Sequence, residues 1–253
     1  MIGDRNVAQV SRRARKNVGS VPSPNVERSE AGWEACATFG RIAFAAIALA
    51  SVPSGFAKEP ANLDPLKIEI RTYIDSGEYE RDVAAVAAQA NAWLEQRARQ
   101  GGARLTLVMD LDETLLSNLP LIRDRQDFGY NAANWSAWVA EGKAPVIAPV
   151  LEIYRTARRL GIDVVFLTGR REHRDRPGTE KNLRAIGCGE YAALILKPDD
   201  SKERTGAFKL AERKRLQAEG RVIIANVGDQ DSDLEGGEAE KSFKLPSPFY
   251  LTK

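Results

Sequence analysis

The stretch that decides the fold is Leu105-Thr-Leu-Val-Met-Asp110-Leu-Asp112-Glu-Thr114. Its first half is a short, mostly apolar run, which is typical of a strand buried on both faces of a parallel sheet. Its second half places two carboxylates and a hydroxyl directly after that strand. Because α/β proteins bind ligands at the carboxyl ends of their strands, the stretch predicts both a fold class and the position of a site.

The remainder of the chain repeats this alternation. Further apolar runs predict strands at residues 162–167, 192–196 and 222–227. Apolar residues at helical spacing predict helices at residues 66–76, 79–100, 148–160, 179–186 and 207–219. Alternating strands and helices are typical of a Rossmann-like parallel sheet with helices on both faces, so this α/β architecture is the predicted fold.

Composition excludes several classes of protein. The chain has 253 residues, of which 28% are charged and 43% hydrophobic, so it is not disordered, collagen-like or a polytopic membrane protein. Lys and Arg total 37 against 35 Asp and Glu, and this balance gives no indication of a nucleic acid polymer as partner. Two cysteines and one histidine cannot supply a four-ligand zinc site, so carboxylates, hydroxyls and lysines must carry any chemistry.

The first 57 residues predict an export signal. Arg41 precedes an apolar run at residues 42–50, and the small residues Gly55 and Ala57 follow it. This order is typical of a secretory signal cleaved after Ala57, although a short buried helix is the alternative. The run is too short to cross a membrane, so we expect no stable membrane span and a periplasmic or secreted protein.

Polar residues follow the other predicted strands in the same way. Thr168 and Gly169 come after the second strand, Asp229 and Asp233 come after the last, and Lys209 lies in the helix before it. Taken singly, acidic turns and helix lysines are ordinary surface features. Because all of them fall at strand ends or near helix starts, we expect them to meet in one crevice.

This set of side chains suits phosphoryl transfer. Several carboxylates on tight loops match the oxygen ligands that Mg²⁺ prefers. An aspartate such as Asp110 can attack phosphorus, and Asp112, two residues on, can exchange protons with the leaving group and with water. Thr168 and Lys209 can bind the phosphoryl oxygens. The sequence therefore predicts a magnesium-assisted reaction of a small phosphomonoester.

The motifs resemble those of the haloacid dehalogenase superfamily. Within it, residues 104–253 are similar to the bacterial class B/C and plant vegetative-storage-type acid phosphatases. The similarity is carried by six segments: Val108 to Asn118, Phe166 to Arg170, Leu194 to Pro198, Phe208 to Arg213, Asn226 to Gln230 and Ser242 to Pro246.

The resemblance implies a role for each catalytic position. Asp110 would be the nucleophile, which forms an aspartyl-phosphate, and Asp112 would be the general acid and base. Thr168 and Gly169 would bind the phosphoryl group, and Lys209 would face it.

The resemblance also implies the metal ligands. Mg²⁺ would be held by Asp110, the backbone carbonyl of Asp112 and Asp229, with Asp233 in support. Asp231 stands where the plant-type motif has tryptophan, a departure that puts the packing of that loop in doubt.

Two further points stay open. Lys202 is a rival to Lys209 for the phosphate role, although the position of Lys209, 20 residues before Asp229, favours it. The lipoprotein signal common in class C relatives is missing, which favours a soluble exported protein.

An insertion separates the first two strands of the domain at residues 58–253. More than 50 residues lie between Thr114 and Thr168, too many for one crossover, and residues 115–147 are predicted to form a small helical cap. The cap contains aromatic residues that could stack on a nucleobase or aryl leaving group or could form its own core: Phe128, Tyr130, Trp135 and, with the core favoured, Trp138.

Other functions remain as alternatives. A signalling receiver domain also pairs an aspartate with a threonine and a lysine, but it lacks the long insertion and the D-x-D-x-T motif. A non-enzymatic storage or binding protein on the same fold is disfavoured by the presence of Asp110 and Asp112. Phosphotransfer to an alcohol instead of water is left open. His173 is expected to be a polar loop residue, and Cys188 has no assigned role.

Overall fold

The computed structural model describes residues 60–252. The predicted signal segment, residues 1–57, therefore lies outside the described residues. The described chain forms a five-stranded sheet in which all neighbours pair in parallel, in the order β3-β2-β1-β4-β5. The strands are β1 Leu105–Met109, β2 Asp163–Arg171, β3 Ala193–Lys197, β4 Val222–Gly228 and β5 Ser242–Lys244.

Helices connect and cover these strands. Their bounds are α1 Leu63–Asp75, α2 Glu78–Ala98, α3 Leu119–Ile122, α4 Ala132–Glu141, α5 Ala148–Arg159, α6 Glu172–Ala185, α7 Thr205–Ala218 and α8 Asp231–Leu234. None of the helices within residues 60–252 combines the length and the apolar character that a membrane crossing needs.

Two hydrophobic cores lie on opposite faces of the sheet. Side chains alternate between faces along a strand, so Leu107 and Val108 point in opposite directions. Leu107 joins the larger core, with α2 and α5, whereas Val108 joins a smaller core with Phe208 of α7. The predicted parallel α/β sheet with helices on both faces is thereby confirmed.

A side chain of α2 donates a hydrogen bond to the unpaired carbonyl at a bulge in β4. The register between β1 and β4 pairs Thr106 with Ile223 and Leu107 with Ala225, so Ile224 has no partner on β1. The indole nitrogen of Trp93, on α2, donates to the carbonyl oxygen of Ile224 at 2.8 Å. A buried carbonyl without a hydrogen-bond partner is unfavourable, so this bond stabilises the bulge and also fixes α2 on the sheet.

Several element bounds differ from the predicted ones. Helix α6 begins at Glu172, seven residues before the predicted start at 179, because Pro177 and Gly178 lie inside it and obscured its pattern. His173 consequently lies in the first turn of a helix and not in a loop. Helices α3 and α8 and strand β5 have only three or four residues and carried no predicted boundaries. Helix α4, with ten residues, lies within the predicted helical cap, for which only the outer bounds were predicted.

Candidate active site

The turn after β1 directs two aspartates to the carboxyl edge of the sheet. The backbone N–H of Asp110 still donates to Val227 of β4, at 3.0 Å, so the ladder positions Asp110 itself. Glu113 then takes a positive φ of 52°, and its N–H donates to the carbonyl of Leu116 at 2.8 Å. The chain therefore reverses within a few residues of the strand end.

Lys209 lies between two buried carboxylates. Its Nζ donates to Oδ1 of Asp110 at 2.5 Å and to Oδ1 of Asp233. Burial favours the neutral amine, but the charges of these two aspartates outweigh it and raise the pKa of Lys209. Burial and the other nearby carboxylates raise the pKa of Asp110 against the opposing effect of Lys209. Lys202, the rival candidate, lies exposed on the β3–α7 loop.

Three of the aspartates form a cluster of oxygens suited to a cation. Oxygen atoms of Asp110, Asp229 and Asp233 all lie within 4.8 Å of one another, and all three residues are buried. Burial and the neighbouring carboxylates Asp233 and Glu113 raise the pKa of Asp229 to about 7. Buried like charges at this spacing repel each other, and a hard divalent cation with oxygen ligands relieves that repulsion. The donor set therefore fits Mg²⁺.

A glycine at the end of β4 allows this cluster to form. A Cβ atom on Gly228 would lie 2.4 Å from the Cβ of Asp233. Real Cβ atoms do not approach each other so closely, so a larger residue at this position would push Asp233 away from Asp110 and Asp229. Position 228, directly before Asp229, therefore has to be glycine for steric reasons.

Asp112 is held by an arginine that the sequence analysis did not select. Arg170 Nη2 donates to Asp112 Oδ1 at 2.6 Å and Nε donates to Oδ2 at 3.0 Å, a two-pronged ion pair. Asn118 Nδ2 adds a bond at 3.0 Å. Burial alone would raise the pKa of Asp112, but Arg170 and Asn118 prevail and lower it. Arg170 directly follows Thr168 and Gly169, so its place in that motif was the available signal.

Thr168 and Gly169 lie where the β2–β3 ladder is interrupted. The register pairs Thr168 with Leu196 and Arg171 with Lys197, so Gly169 and Arg170 bulge out towards the site. Gly169 lines the cavity beside Thr205, the first residue of α7. The side chain of Thr168 is fully buried, and its hydroxyl accepts the N–H of Arg170 at 3.2 Å.

A cavity of about 480 Å³ lies over these groups, and the three candidate aromatic residues of the cap line it. These three residues differ in how far other side chains cover their rings. Phe128 stacks on Phe249, with ring centroids 6.4 Å apart, and carries the guanidinium of Arg71 5.1 Å from its own centroid. Trp135 packs against the main core, whereas Tyr130 is 76% exposed. Tyr130 is thus the most open of the three.

Trp138 belongs to the main core of the domain, and not to a separate core of the cap as the sequence analysis favoured. It is buried, and its indole nitrogen donates to Oδ1 of Asn118 at 2.7 Å. Asn118 also donates to Asp112 and Glu113, so helix α4 is joined to the turn that carries both aspartates.

The chain after β5 forms a wall of the site that the sequence analysis did not identify. We call residues 245–252 the C-terminal strap. Ser247 Oγ donates to Asp229 Oδ2 at 2.7 Å, and the hydroxyl of Tyr250 donates to Glu113 Oε2 at 2.7 Å. Only the first part of this strap lies in the segment quoted from Ser242 to Pro246, and its later residues carry no pattern that indicates a site.

The fold and the site together define a haloacid dehalogenase-type protein. A parallel sheet carries paired aspartates after its central strand, with a buried lysine and two more aspartates from later elements beside the first of them. Residues 47–253 match the family described as HAD superfamily, subfamily IIIB (acid phosphatase). The chain belongs to this acid phosphatase family.

Named relatives agree with this assignment. The chain is 33% identical over 207 residues to "Acid phosphatase 1" of Solanum lycopersicum, covering 77% of this chain and 80% of that protein. It is 30% identical over 201 residues to "Vegetative storage protein 1" of Arabidopsis thaliana, covering 75% and 73%. The class C acid phosphatase structure from Bacillus anthracis superposes with a TM-score of 0.62 at 21% identity, covering 74% and 86%, and so shows the shared fold.

Proposed function

We propose that this protein is a Mg²⁺-dependent acid phosphatase that hydrolyses small phosphomonoesters through an aspartyl-phosphate on Asp110. One observation carries the proposal. The Asp110 carboxylate lines the cavity in contact with Lys209 and within 4.8 Å of Asp229 and Asp233, which supports their proposed roles as nucleophile, phosphate-binding cation and metal ligands.

The proposed reaction has two steps. An Asp110 oxygen attacks phosphorus, the bond from phosphorus to the ester oxygen breaks, and Asp112 supplies the proton to the departing alkoxide. Asp112 then takes a proton from water, whose oxygen attacks the phosphorus of the aspartyl-phosphate. The bond from phosphorus to the Asp110 oxygen breaks, inorganic phosphate leaves and Asp110 is restored. Lys209, the Thr168 hydroxyl and the backbone of Gly169 bind the phosphoryl oxygens throughout.

The residues that would hold Mg²⁺ are Asp110, Asp229 and the backbone carbonyl of Asp112, with Asp233 in support. When bound, the ion neutralises charge between the phosphate and these carboxylates. The buried cluster, with its raised pKa values, supports this assignment because it gathers negative charge that Lys209 alone does not balance.

The ion pair with Arg170 sets a condition on the first step. With Arg170 on both its oxygens, Asp112 is ionised and has no proton to give. Protonation of the leaving group therefore requires this pair to loosen when substrate is bound and Asp112 to take up a proton from solvent before the ester bond breaks. The same ionised form is the one needed to accept a proton from water in the second step.

The leaving group is proposed to be flat, as in a nucleotide or an aryl phosphate. Tyr130 supports this because its ring is open at the cavity, whereas Phe128 is already covered by Phe249. Replacing Tyr130 with alanine is expected to raise KM for a nucleoside monophosphate more than for a small alkyl phosphate.

A substrate panel tests the proposal. Purified protein is assayed on p-nitrophenyl phosphate, nucleoside monophosphates and alkyl phosphates, with Mg²⁺ and with a chelator. We expect hydrolysis only with the metal, and its loss in Asp110→Asn with the fold intact. Wild-type activity in that variant would exclude Asp110 as nucleophile. Added alcohol measures phosphotransfer, since it would yield a new phosphomonoester.

Storage without catalysis is the second candidate. It is favoured by one observation, the similarity to a protein named for vegetative storage. Folded protein that binds Mg²⁺ yet hydrolyses no member of the panel would support it.

We also propose that the protein is exported. The apolar run at residues 42–50 and the small residues Gly55 and Ala57 support a cleaved signal. Expression of the full chain in a bacterium, followed by N-terminal sequencing of the periplasmic product, should give Lys58 as the first residue.

A further inference from the structure

The two oxygens of the Asp229 carboxylate have different surroundings. Oδ2 accepts the hydroxyl of Ser247 at 2.7 Å and the side-chain amide of Gln230 at 2.7 Å. Oδ1 meets only the hydroxyl of Thr114, at the long distance of 3.4 Å, among the described residues. Strong donors therefore occupy Oδ2 and leave Oδ1 available.

Ser247 and Gln230 also fix each other. The amide nitrogen of Gln230 donates to the oxygen of Ser247 as well as to Asp229, so the serine proton is directed at the carboxylate. Gln230 is in turn bound by the backbone of the strap. Its Oε1 accepts the N–H of Thr252 at 3.0 Å, and its Nε2 donates to the carbonyl of Tyr250 at 3.3 Å.

The C-terminal strap is anchored on both sides of Ser247. Leu245 N–H donates to the carbonyl of Gly228 at 2.9 Å. The Phe249 ring packs edge-on against Tyr79, with centroids 5.3 Å apart, and the Tyr250 hydroxyl binds Glu113. These contacts hold Ser247 against Asp229, so its position does not depend on its own hydrogen bond alone.

We infer that Ser247 is a positioning residue for the metal site. It engages Oδ2 of Asp229 and thereby leaves Oδ1 available on the side of Asp110 and Asp233, where Mg²⁺ would bind. Hydrogen bonds of this kind orient ligating carboxylates, and their loss typically costs about 10- to 100-fold in metal affinity. The inference rests on the proposed function, because it presupposes Mg²⁺ in the cluster.

Calorimetric titration of Mg²⁺ into the purified full chain, without substrate, tests the inference. We expect Ser247→Ala to bind Mg²⁺ at least about tenfold more weakly than wild type. Assays should show the same increase in the Mg²⁺ concentration for half-maximal activity, while kcat at saturating Mg²⁺ changes little. The matched control is Ser242→Ala, which lies exposed on β5 just before the strap and should leave Mg²⁺ binding unchanged.

Two variants of equal shape isolate the hydroxyl. Ser247→Thr keeps it and Ser247→Val lacks it, so the threonine variant should bind Mg²⁺ about tenfold more tightly than the valine variant. This comparison also decides the matter if Ser247→Ala fails to fold. Equal affinity of the threonine and valine variants would overturn the inference.

The outcomes separate this inference from the proposed function. If wild type takes up no Mg²⁺, the proposed metal site is wrong and the inference fails with it. If wild type binds Mg²⁺ and hydrolyses phosphomonoesters while Ser247→Ala binds Mg²⁺ equally well, the role of Ser247 alone is wrong.

Discussion

At the scale of single residues, two adjacent carboxylates of one turn lie in opposite electrostatic settings. Arg170 binds both oxygens of Asp112 and lowers its pKa against the effect of burial. Glu113, one residue on, faces neutral donors from Asn118 and Tyr250, and burial together with the charge of Asp112 raises its pKa to about 7. The nearest partner, and not sequence position, decides the charge of each.

Removing Arg170 should move the pH profile of the reaction. A general acid must be protonated, so activity falls as the pH rises through the pKa of Asp112. Arg170→Met removes the main group that keeps this pKa low, and the descending limb of kcat/KM should shift to higher pH while the maximum rate falls. Steady-state kinetics that extend from below pH 4 up to pH 8 measure both effects, because the lowered pKa of Asp112 places the wild-type limb at the acidic end. An unshifted limb would mean that Arg170 does not control Asp112.

Glu113 should make the metal-free protein less stable as the pH rises. Its pKa is about 7 in the folded state and about 4.5 ordinarily, so between these values only the folded state holds the proton. The free energy of unfolding therefore decreases across this window. Glu113→Gln should reduce that decrease by about 1–3 kcal/mol. Urea denaturation at pH 5 and pH 7.5 with a chelator measures it, and Glu190→Gln, which is 82% exposed on its side chain, is the control.

At the scale of elements, α7 carries two buried cations one turn apart. Lys209 binds Asp110, and Arg213, four residues later, donates to the carbonyls of Gly237, Asp233 and Glu235. Residues four apart share a face of a helix, so one face of α7 supplies the lysine that binds Asp110 and also holds the loop with Asp233.

Contact between α4 and α6 sets the position of α4, which lies within the predicted cap. A Cβ on Gly178 of α6 would lie 2.1 Å from the carbonyl oxygen of Val139 in α4. Alanine ordinarily gains up to about 1 kcal/mol over glycine inside a helix, but overpacking against a rigid backbone costs about 1–3 kcal/mol. Gly178→Ala should therefore lower the melting temperature and raise KM, because it displaces α4.

A matched glycine provides the control for this prediction. Gly189 has only an ordinary contact of 3.4 Å, with Arg184, at its Cβ position. Gly189→Ala should change the free energy of unfolding by less than about 0.5 kcal/mol, as most surface substitutions do, and should leave the melting temperature nearly unchanged. A Gly178→Ala variant as stable as this control would show that α4 and α6 are not closely packed.

At the scale of the whole molecule, strands far apart in sequence bring acidic groups to one place. Asp110 follows β1 and Asp229 follows β4, and parallel pairing of these strands makes their carboxyl ends neighbours. The result is a buried negative cluster whose repulsion opposes folding unless a cation binds.

Mg²⁺ should accordingly stabilise the whole domain. A ligand that binds only the folded state at 100 times its Kd adds about 2.7 kcal/mol, which corresponds to roughly 5–10 °C in a domain of this size. Differential scanning calorimetry with Mg²⁺ and with a chelator measures the shift. Asp229→Asn should abolish most of it, whereas Asp163→Asn, which pairs with Arg221 at the other end of the sheet, should not.

The sequence alone predicted the parallel α/β sheet, and it predicted that Asp110, Lys209 and Asp229 lie in one crevice. It could do so because local periodicity marks strands and helices, and because parallel strands necessarily present their carboxyl ends at one edge. Roles and metal ligands came from the motifs around these positions and remain proposals.

Only the tertiary structure decided the partners of these groups. The hydrogen bond between Tyr250 and Glu113 joins residues 137 positions apart, and the ion pair between Arg170 and Asp112 joins residues 58 apart. No local pattern encodes such contacts, because they depend on how separate elements pack. The hydrogen bond from Ser247 to Asp229 is of the same kind, because it forms only where the C-terminal strap packs against the end of β4.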